Sequence, residues 1–431
     1  MGTALRARRV DLEAVEQAVR AAVLVAGARV VEALLQEVGT GRQGERVRCR
    51  CGQGMQSKGL RRTRVLCLLG WVRFERSLYV CPRCGQTRYP GDEELDIVNT
   101  SRSPGVRRQV ARLGAKEPFA QVAQDMAELA GVRVSRKDAE RVSETVGAQM
   151  EQWQEAERRR VRFTEPPPPE APRPIQTLYV EFDGTGVPMV KQEVQGRQGK
   201  QEDGSAKTRE AKLGCVFTQT TLDEKGRPMR DPASTTFVGA IEPAAAFGWR
   251  IYAEAVRRGV FQARRLIVLG DGAEWVKNLA ALHFGQGQFI IDFYHACEHV
   301  GALCDALFSR DLKQRNRQRD SWLDALERGE IEALIDQARQ RLPKDPKAGK
   351  DARTQIAYFD KNKEYMRYAA FRQQGLFIGS GVIEAGCKTV IGQRFKQSGM
   401  EWTVRGANAI LALRCTLLSG RAEEFWEQRA A

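Results

Sequence analysis

The sequence predicts a multidomain α/β protein: a mixed sheet flanked by helices, an all-helical segment after its strands, and a cysteine-bearing β module in front. Three observations carry this expectation. Apolar runs at 177–182, 213–217, 235–238, 266–269 and 289–291 come first as consecutive strands and then alternate with helical stretches, the order of a mixed sheet with helices on its faces. Residues 300–375 lose strand character and become charged and helical. Two close cysteine pairs bracket a β-rich stretch between residues 45 and 95. With 431 residues, the chain also exceeds the usual allowance of about 150 per domain.

Charge and composition narrow the function. Lys and Arg number 69 against 54 Asp and Glu, a net charge of +15 that favours a polyanionic partner. Residues 1–163 hold 30 of the basic and 20 of the acidic residues, so +10 of the +15 falls in the front third, the expected anchoring region. No apolar run approaches the ~18 residues needed to span a bilayer, which excludes an integral helical membrane protein. Asp11, Glu13 and Glu16 interrupt the residues after Arg6, Arg8 and Arg9, so no secretory signal is expected and the location is read as cytoplasmic. Ten cysteines in such a chain point to metal binding and buried thiols instead of disulfides.

Residues 1–44 hold one predicted helix, over about 11–37, with Val15, Val19, Val23, Val30 and Leu34 at helical spacing. Residues 45–95 form the predicted zinc-ribbon-like module. Cys49-Arg-Cys51-Gly52 and Cys81-Pro-Arg-Cys84-Gly85 supply four thiolates from two turns, which suits a structural tetrahedral Zn²⁺. Cys67, between them on an apolar run, reads as a core residue. Residues 96–163 are helical. A helix from Phe119 to Leu129, a turn at Ala130-Gly131 and a cap at Ser135 outline a helix-turn-helix, with Asp138 in the capping-box position. Arg133, Arg136, Lys137 and Arg141 then lie at the start of the second helix, where recognition helices meet bases and phosphates. Residues 164–174 carry six prolines and read as a stiff linker.

Beyond the linker, residues 175–299 carry the predicted strands of the mixed sheet, and residues 376–431 read as helix. Asp183 ends the apolar run Tyr179-Val-Glu-Phe182 and precedes a glycine; Asp271 ends Leu266-Ile-Val-Leu-Gly270 in the same way. A carboxylate at a strand end, beside a close-approaching backbone, is where open sheets hold metals and ligands. Glu384, in Gly379-Ser-Gly-Val-Ile383, starts a predicted helix. Two such aspartates and a helix-borne glutamate are a ligand set for two Mg²⁺ (or Mn²⁺) ions in phosphodiester chemistry.

These residues resemble the DDE transposases of bacterial insertion sequences, specifically the ISKra type, related to Mutator-like transposases. The resemblance runs from the cysteine pairs to the C-terminus. It rests on Phe182-Asp183-Gly-Thr-Gly-Val187, Lys207-Thr-Arg-Glu-Ala-Lys-Leu-Gly214, Gly270-Asp271-Gly-Ala-Glu-Trp275, Asp292-Phe-Tyr-His295 and Gly379-Ser-Gly-Val-Ile-Glu384. It implies an RNase H-like catalytic domain with Asp183, Asp271 and Glu384 as catalytic metal ligands, Asp292 and His295 supporting them, and a helical insertion over 300–375. The Cys-x-Cys first pair departs from the usual two-residue spacing and leaves zinc ligation there open. The expected partners are double-stranded DNA, as terminal inverted repeats and target, and further copies of the chain in a homodimer or larger assembly on the nucleoid.

In the tail, Lys388, Arg394, Lys396, Trp402 and Arg405 suit a backbone track with a stacking platform, although Trp402 fits a core equally well. Two other readings stand beside the enzyme. One is a non-catalytic DNA-binding relative that kept the fold. The other takes His295-Ala-Cys-Glu298-His299 as the H-x-x-E-H signature of a zinc peptidase, which leaves Asp183, Asp271, the cysteine pairs and the basic charge without a role.

Overall fold

The structure is a computed structural model that describes residues 11–164, 175–199, 201–309, 311–344 and 349–430. The proline segment, at 165–174, lies outside them. The chain divides into two compact units, residues 1–147 with 426–431, and residues 148–425. The division falls inside a helix, ahead of the proline segment where the composition placed it. That helix, Arg136–Phe163, has 28 residues, so at 1.5 Å per residue it is about 42 Å long. Its second half is fastened in the larger unit by Glu151 to Arg250 at 2.9 Å and by Gln154 to Thr416 at 2.9 Å. No helix among the described residues is long and apolar enough to cross a membrane.

In the smaller unit, helix α1 (Leu12–Val38) packs on a four-stranded antiparallel sheet, β1 (Arg46–Arg48), β2 (Gly54–Cys67), β3 (Gly70–Val80) and β4 (Thr87–Arg88), in sequential order. The contact face of α1 holds Ala28, Val31 and Leu35, against Val65, Val72, Phe74 and Leu69. The stripe expected to be buried is instead in solvent: Val19, Val23, Val30 and Leu34 are all more than half exposed. Nearly the whole circumference of α1 is apolar, so periodicity could not select the face. Helices α2 (Pro104–Gly114), α3 (Phe119–Glu128) and the first half of α4 (Arg136–Phe163) follow. Ser103 caps α2, with Pro104 in its first turn.

The larger unit is built on a mixed sheet in the order β11-β10-β5-β6-β9. Strands β5 (Ile175–Pro188), β6 (Thr208–Gln219) and β9 (Thr236–Ala240) are antiparallel neighbours, with a two-residue pair, β7 (Thr221–Leu222) and β8 (Pro228–Met229), beside them. Strands β10 (Ala263–Gly270) and β11 (Gln288–Ile291) run parallel to β5. The centre of β5, residues 177–182, is buried on both faces and apolar except for Thr177 and Glu181, the pattern of a strand covered on both sides. Helices α5 (Ala244–Arg257) and α6 (Glu274–Phe284) cover one face, with Phe247, Ile251, Val276 and Leu279 on Val180, Phe182 and Val268. Between β11 and the C-terminal elements come α7 (Phe293–Leu307), α8 (Leu312–Arg328), α9 (Ile331–Gln340), α10 (Lys350–Asn362) and α11 (Tyr368–Gln373), the expected all-helical segment. It starts within α7, a few residues before 300. Helices α12 (Gly381–Gly386), α13 (Val404–Leu418) and α14 (Ala422–Ala430) complete the chain.

Candidate active site and metal centre

The cysteine pairs meet at one end of the β1–β4 sheet. Cys49 and Cys51 lie in the β1–β2 turn, Cys81 and Cys84 in the β3–β4 turn. Cys49 Sγ is 3.6 Å from Cys84 Sγ, Cys51 Sγ is 3.6 Å from Cys81 Sγ, and all four sulfurs fall within 4.8 Å of one another. Zinc–sulfur bonds of ~2.3 Å at the tetrahedral angle set sulfurs about 3.8 Å apart, so the group has the size of a tetrahedral thiolate cage. The one-residue first pair thus reaches the same cage as the second. Gly52 and Gly85, at φ +88° and +70°, turn each knuckle back so that their N–H groups donate to the Cys49 and Cys81 carbonyls at 3.0 Å. The Cys84 amide is the main cause that draws the Cys81 thiol down, while, against the pull of the Gln86 amide, the neighbouring thiols push Cys84 up, so the cluster holds a proton that a metal would displace.

The acids gather at one end of the larger sheet. Parallel pairing sets Leu269 of β10 beside Glu181 of β5, and Asp271 and Asp183 each follow two residues further along in the same direction. Asp271 lies just past its strand, its carboxylate accepting from the Ala273 amide at 2.9 Å, with Gly272 at φ +77° making the turn. Glu384 is exposed on α12, which runs into a π-helical turn, Cys387–Gly392. Burial pushes the Asp183 carboxyl above the usual carboxylate range; the Gly184 amide opposes this, and the charges of Asp271 and Glu384 add to it. Asp183 therefore senses both other acids, and a bound cation would relieve that repulsion. Among the described residues, the cysteines alone form a group of three or more such ligand atoms within 4.8 Å. The acids are more widely spread than a single-ion cage.

Two buried carboxyl groups hold this arrangement. Asp292 caps α7, accepting from the His295 amide at 2.6 Å with one oxygen and from the Ser380 amide at 2.5 Å with the other. Its own amide donates to the Gly270 carbonyl at 2.8 Å. Asp292 thus ties the ends of β10 and β11 to the segment that leads into Glu384. Glu181, fully buried on the same face of β5 as Asp183, accepts from the Ile383 amide at 2.9 Å. Burial raises its carboxyl to about 8, with the Asp292 and Glu384 charges adding to it. Sequence reasoning passed over Glu181, yet the signal was there: it is the one carboxyl group inside the apolar run, two residues before a predicted ligand. Cys387, whose thiol donates to Asp183 at 3.7 Å, was also passed over.

His295 and His299 share one face of α7, with their Nε2 atoms 3.2 Å apart. The peptidase reading needs a third ligand, and among the described residues none joins them within 4.8 Å. Tyr358 stacks on His299 with ring centroids 3.7 Å apart, and its hydroxyl points to the Asp271 carbonyl at 3.5 Å.

The predicted DNA contacts divide. Arg133, Arg136, Lys137 and Arg141 are exposed around the start of α4, where the Ser135 hydroxyl accepts from the Asp138 amide at 3.1 Å as the cap. The Asp138 carboxylate pairs with Arg102 and Arg141, each at 2.7 Å, and does not reach back to the cap. Lys388, Lys396 and Arg405 are exposed, and Lys396 donates to Thr185 at 2.7 Å, beside Asp183. Arg394 and Trp402 are corrections. They are 0% and 6% exposed, with the guanidinium 4.8 Å above the indole ring, so neither offers a surface to DNA. The Trp402 backbone bridges Pro188 and Val190 at 3.1 and 3.0 Å, which ties this turn to the end of β5. No family model and no curated protein matches the chain.

Proposed function

We propose that the chain is a DNA transposase of the DDE type, akin to the ISKra-type enzymes of bacterial insertion sequences. It binds terminal inverted repeats, hydrolyses a strand at the element end and joins the exposed 3′-hydroxyl to target DNA by direct transesterification. One observation carries this reading: Asp183 and Asp271 lie toward the same end of neighbouring parallel strands, near enough for the Asp271 charge to act on Asp183, with the Glu384 helix tied to the same sheet through Asp292 and Glu181. The strand order, three antiparallel strands followed by two parallel ones, supports an RNase H-like catalytic domain, and α7 to α11 between Asp271 and Glu384 support its helical insertion.

The donor set fits hard divalent cations. Two Mg²⁺ or Mn²⁺ ions held by Asp183, Asp271 and Glu384 would supply activation of the attacking oxygen and stabilisation of the leaving one. The protein's own residues do the rest. Asp292 and Glu181 fix where Glu384 stands, and Lys396, exposed at the rim beside Asp183, gives a backbone phosphate a counter-charge. In the smaller unit the four cysteines hold a structural zinc, and Arg133, Arg136, Lys137 and Arg141 contact the terminal repeats. Processing two element ends calls for a homodimer or larger assembly.

The test is to map the strands cut on a DNA carrying both element ends, with Mg²⁺ and with a chelator. Mg²⁺-dependent nicks that leave 3′-hydroxyls at the ends are the expected result. Specific binding with no nick would make the chain a non-catalytic relative.

A further inference from the structure

We propose that His295 and His299 form a binding site for a divalent ion of the zinc class, separate from the cysteine group and from the three acids. The two residues are four apart on α7, and their Nε2 atoms converge to 3.2 Å. Metal–nitrogen bonds of ~2.0–2.1 Å at the tetrahedral angle place two imidazole nitrogens about 3.3 Å apart, so the pair already has the spacing of one edge of such a site.

The outer hydrogen bonds decide which nitrogens carry protons. His299 Nδ1 is 2.6 Å from the Gln355 carboxamide oxygen, which only accepts, so Nδ1 holds the proton and Nε2 is bare. His295 Nδ1 faces the Glu298 carboxylate at 3.4 Å, which favours the same tautomer. Two bare lone pairs at that separation repel unless a metal ion or a shared proton lies between them. Outer partners on Nδ1 are the usual means of aiming Nε2 at a metal. The Tyr358 ring, tilted only 17° from the His299 plane, fixes that ring's orientation. Burial keeps His299 below its ordinary pKa, so it stays neutral and able to ligate near pH 7. The charged groups whose fields reach His299 from α7 and from the end of β10, besides His295 itself, are Glu298 and Asp271, both favourable to a cation. Two protein ligands leave the remaining positions to water or to an anionic oxygen such as a phosphate, and neutral imidazole suits zinc, nickel and copper.

The experiment is calorimetric titration of the full chain, its cysteine site loaded with zinc, with Ni²⁺ at pH 7.5 without DNA. One equivalent of Ni²⁺ should bind to the wild-type protein and to Asp183→Asn. It should be lost in His295→Ala and in His299→Ala. The size-conserving His299→Gln guards against misfolding, judged by circular dichroism and by retained cysteine-bound zinc. Gln355→Ala should weaken the site by about 10–100-fold. No Ni²⁺ binding by the wild-type protein, or binding unchanged in both histidine variants, overturns the proposal and leaves the pair sharing only a proton. DNA cleavage is not part of the readout, so a failure here is distinguishable from a failure of the transposase reading.

Discussion

Replacing Glu181 by Gln should change how stability depends on pH, by an amount that follows from its burial. The carboxyl is fully buried, its Oε2 engaged by the Ile383 amide and its Oε1 without a partner. Its folded value is about 8 against 4.5 for a free glutamate. Between these values the folded state retains a proton that the unfolded state has released, so stability falls as pH rises through this window. Linkage over that interval gives a cost of roughly 1 kcal/mol at pH 5 and roughly 4 kcal/mol at pH 8. Gln cannot ionise and escapes this cost, while its NH₂ group, set where Oε1 has no partner, adds a pH-independent penalty of about 1–3 kcal/mol. The stability of Glu181→Gln relative to wild type should therefore grow by about 3 kcal/mol from pH 5 to pH 8. Urea denaturation of both proteins in chelator, followed by the fluorescence of Trp249 and Trp275 in the larger unit, measures it. A difference that stays flat with pH would refute the buried, proton-retaining state of Glu181.

Other consequences are simpler. Cys84→Ser should release one zinc and unfold β1–β4 while the larger sheet survives, read by metal analysis and hydrogen exchange; wild-type protein without zinc would contradict the cage. Trp402→Ala should cost about 3–5 kcal/mol of stability and leave DNA affinity per folded molecule unchanged, because the indole is core. Asp292→Asn keeps the α7 cap with its remaining oxygen but replaces the second, which accepts from the Ser380 amide, by an NH₂ donor. It should cost about 1–3 kcal/mol and slow strand cleavage more than it weakens DNA binding.

The strands of the larger sheet were legible because central strands read as unbroken apolar runs, and Asp183 and Asp271 stood out as the charges that end them. The cysteine cage was legible from spacing and the following glycines. What lay beyond the sequence depends on contacts between distant segments. Arg394 and Trp402 form a buried stack, but a basic–aromatic mixture reads the same on a surface as in a core. Gln355 and Tyr358 reach the histidines from α10, 56 and 59 positions away from His299, and no local pattern marks them. The unit boundary was drawn at the prolines because composition shifts there, whereas the packing of α4 places it after Gly147. Glu181 differs from these: its period-two relation to Asp183 was visible, and only its burial gives it meaning.

The central claim is that Asp183, Asp271 and Glu384 work as one metal site for cutting and joining DNA. Its most direct measurement is Mg²⁺-dependent cleavage of an element-end DNA by purified Glu384→Gln, with terminal-repeat binding followed in parallel. Each side chain keeps its size and loses the charge that would hold the ions, so Glu384→Gln, Asp183→Asn and Asp271→Asn should bind like wild type and fail to cut. The losses should be comparable and non-additive. Cleavage by Glu384→Gln at the wild-type rate, with Asp183→Asn inactive, would show that another acid completes the site; full activity in Asp183→Asn would contradict the mechanism itself.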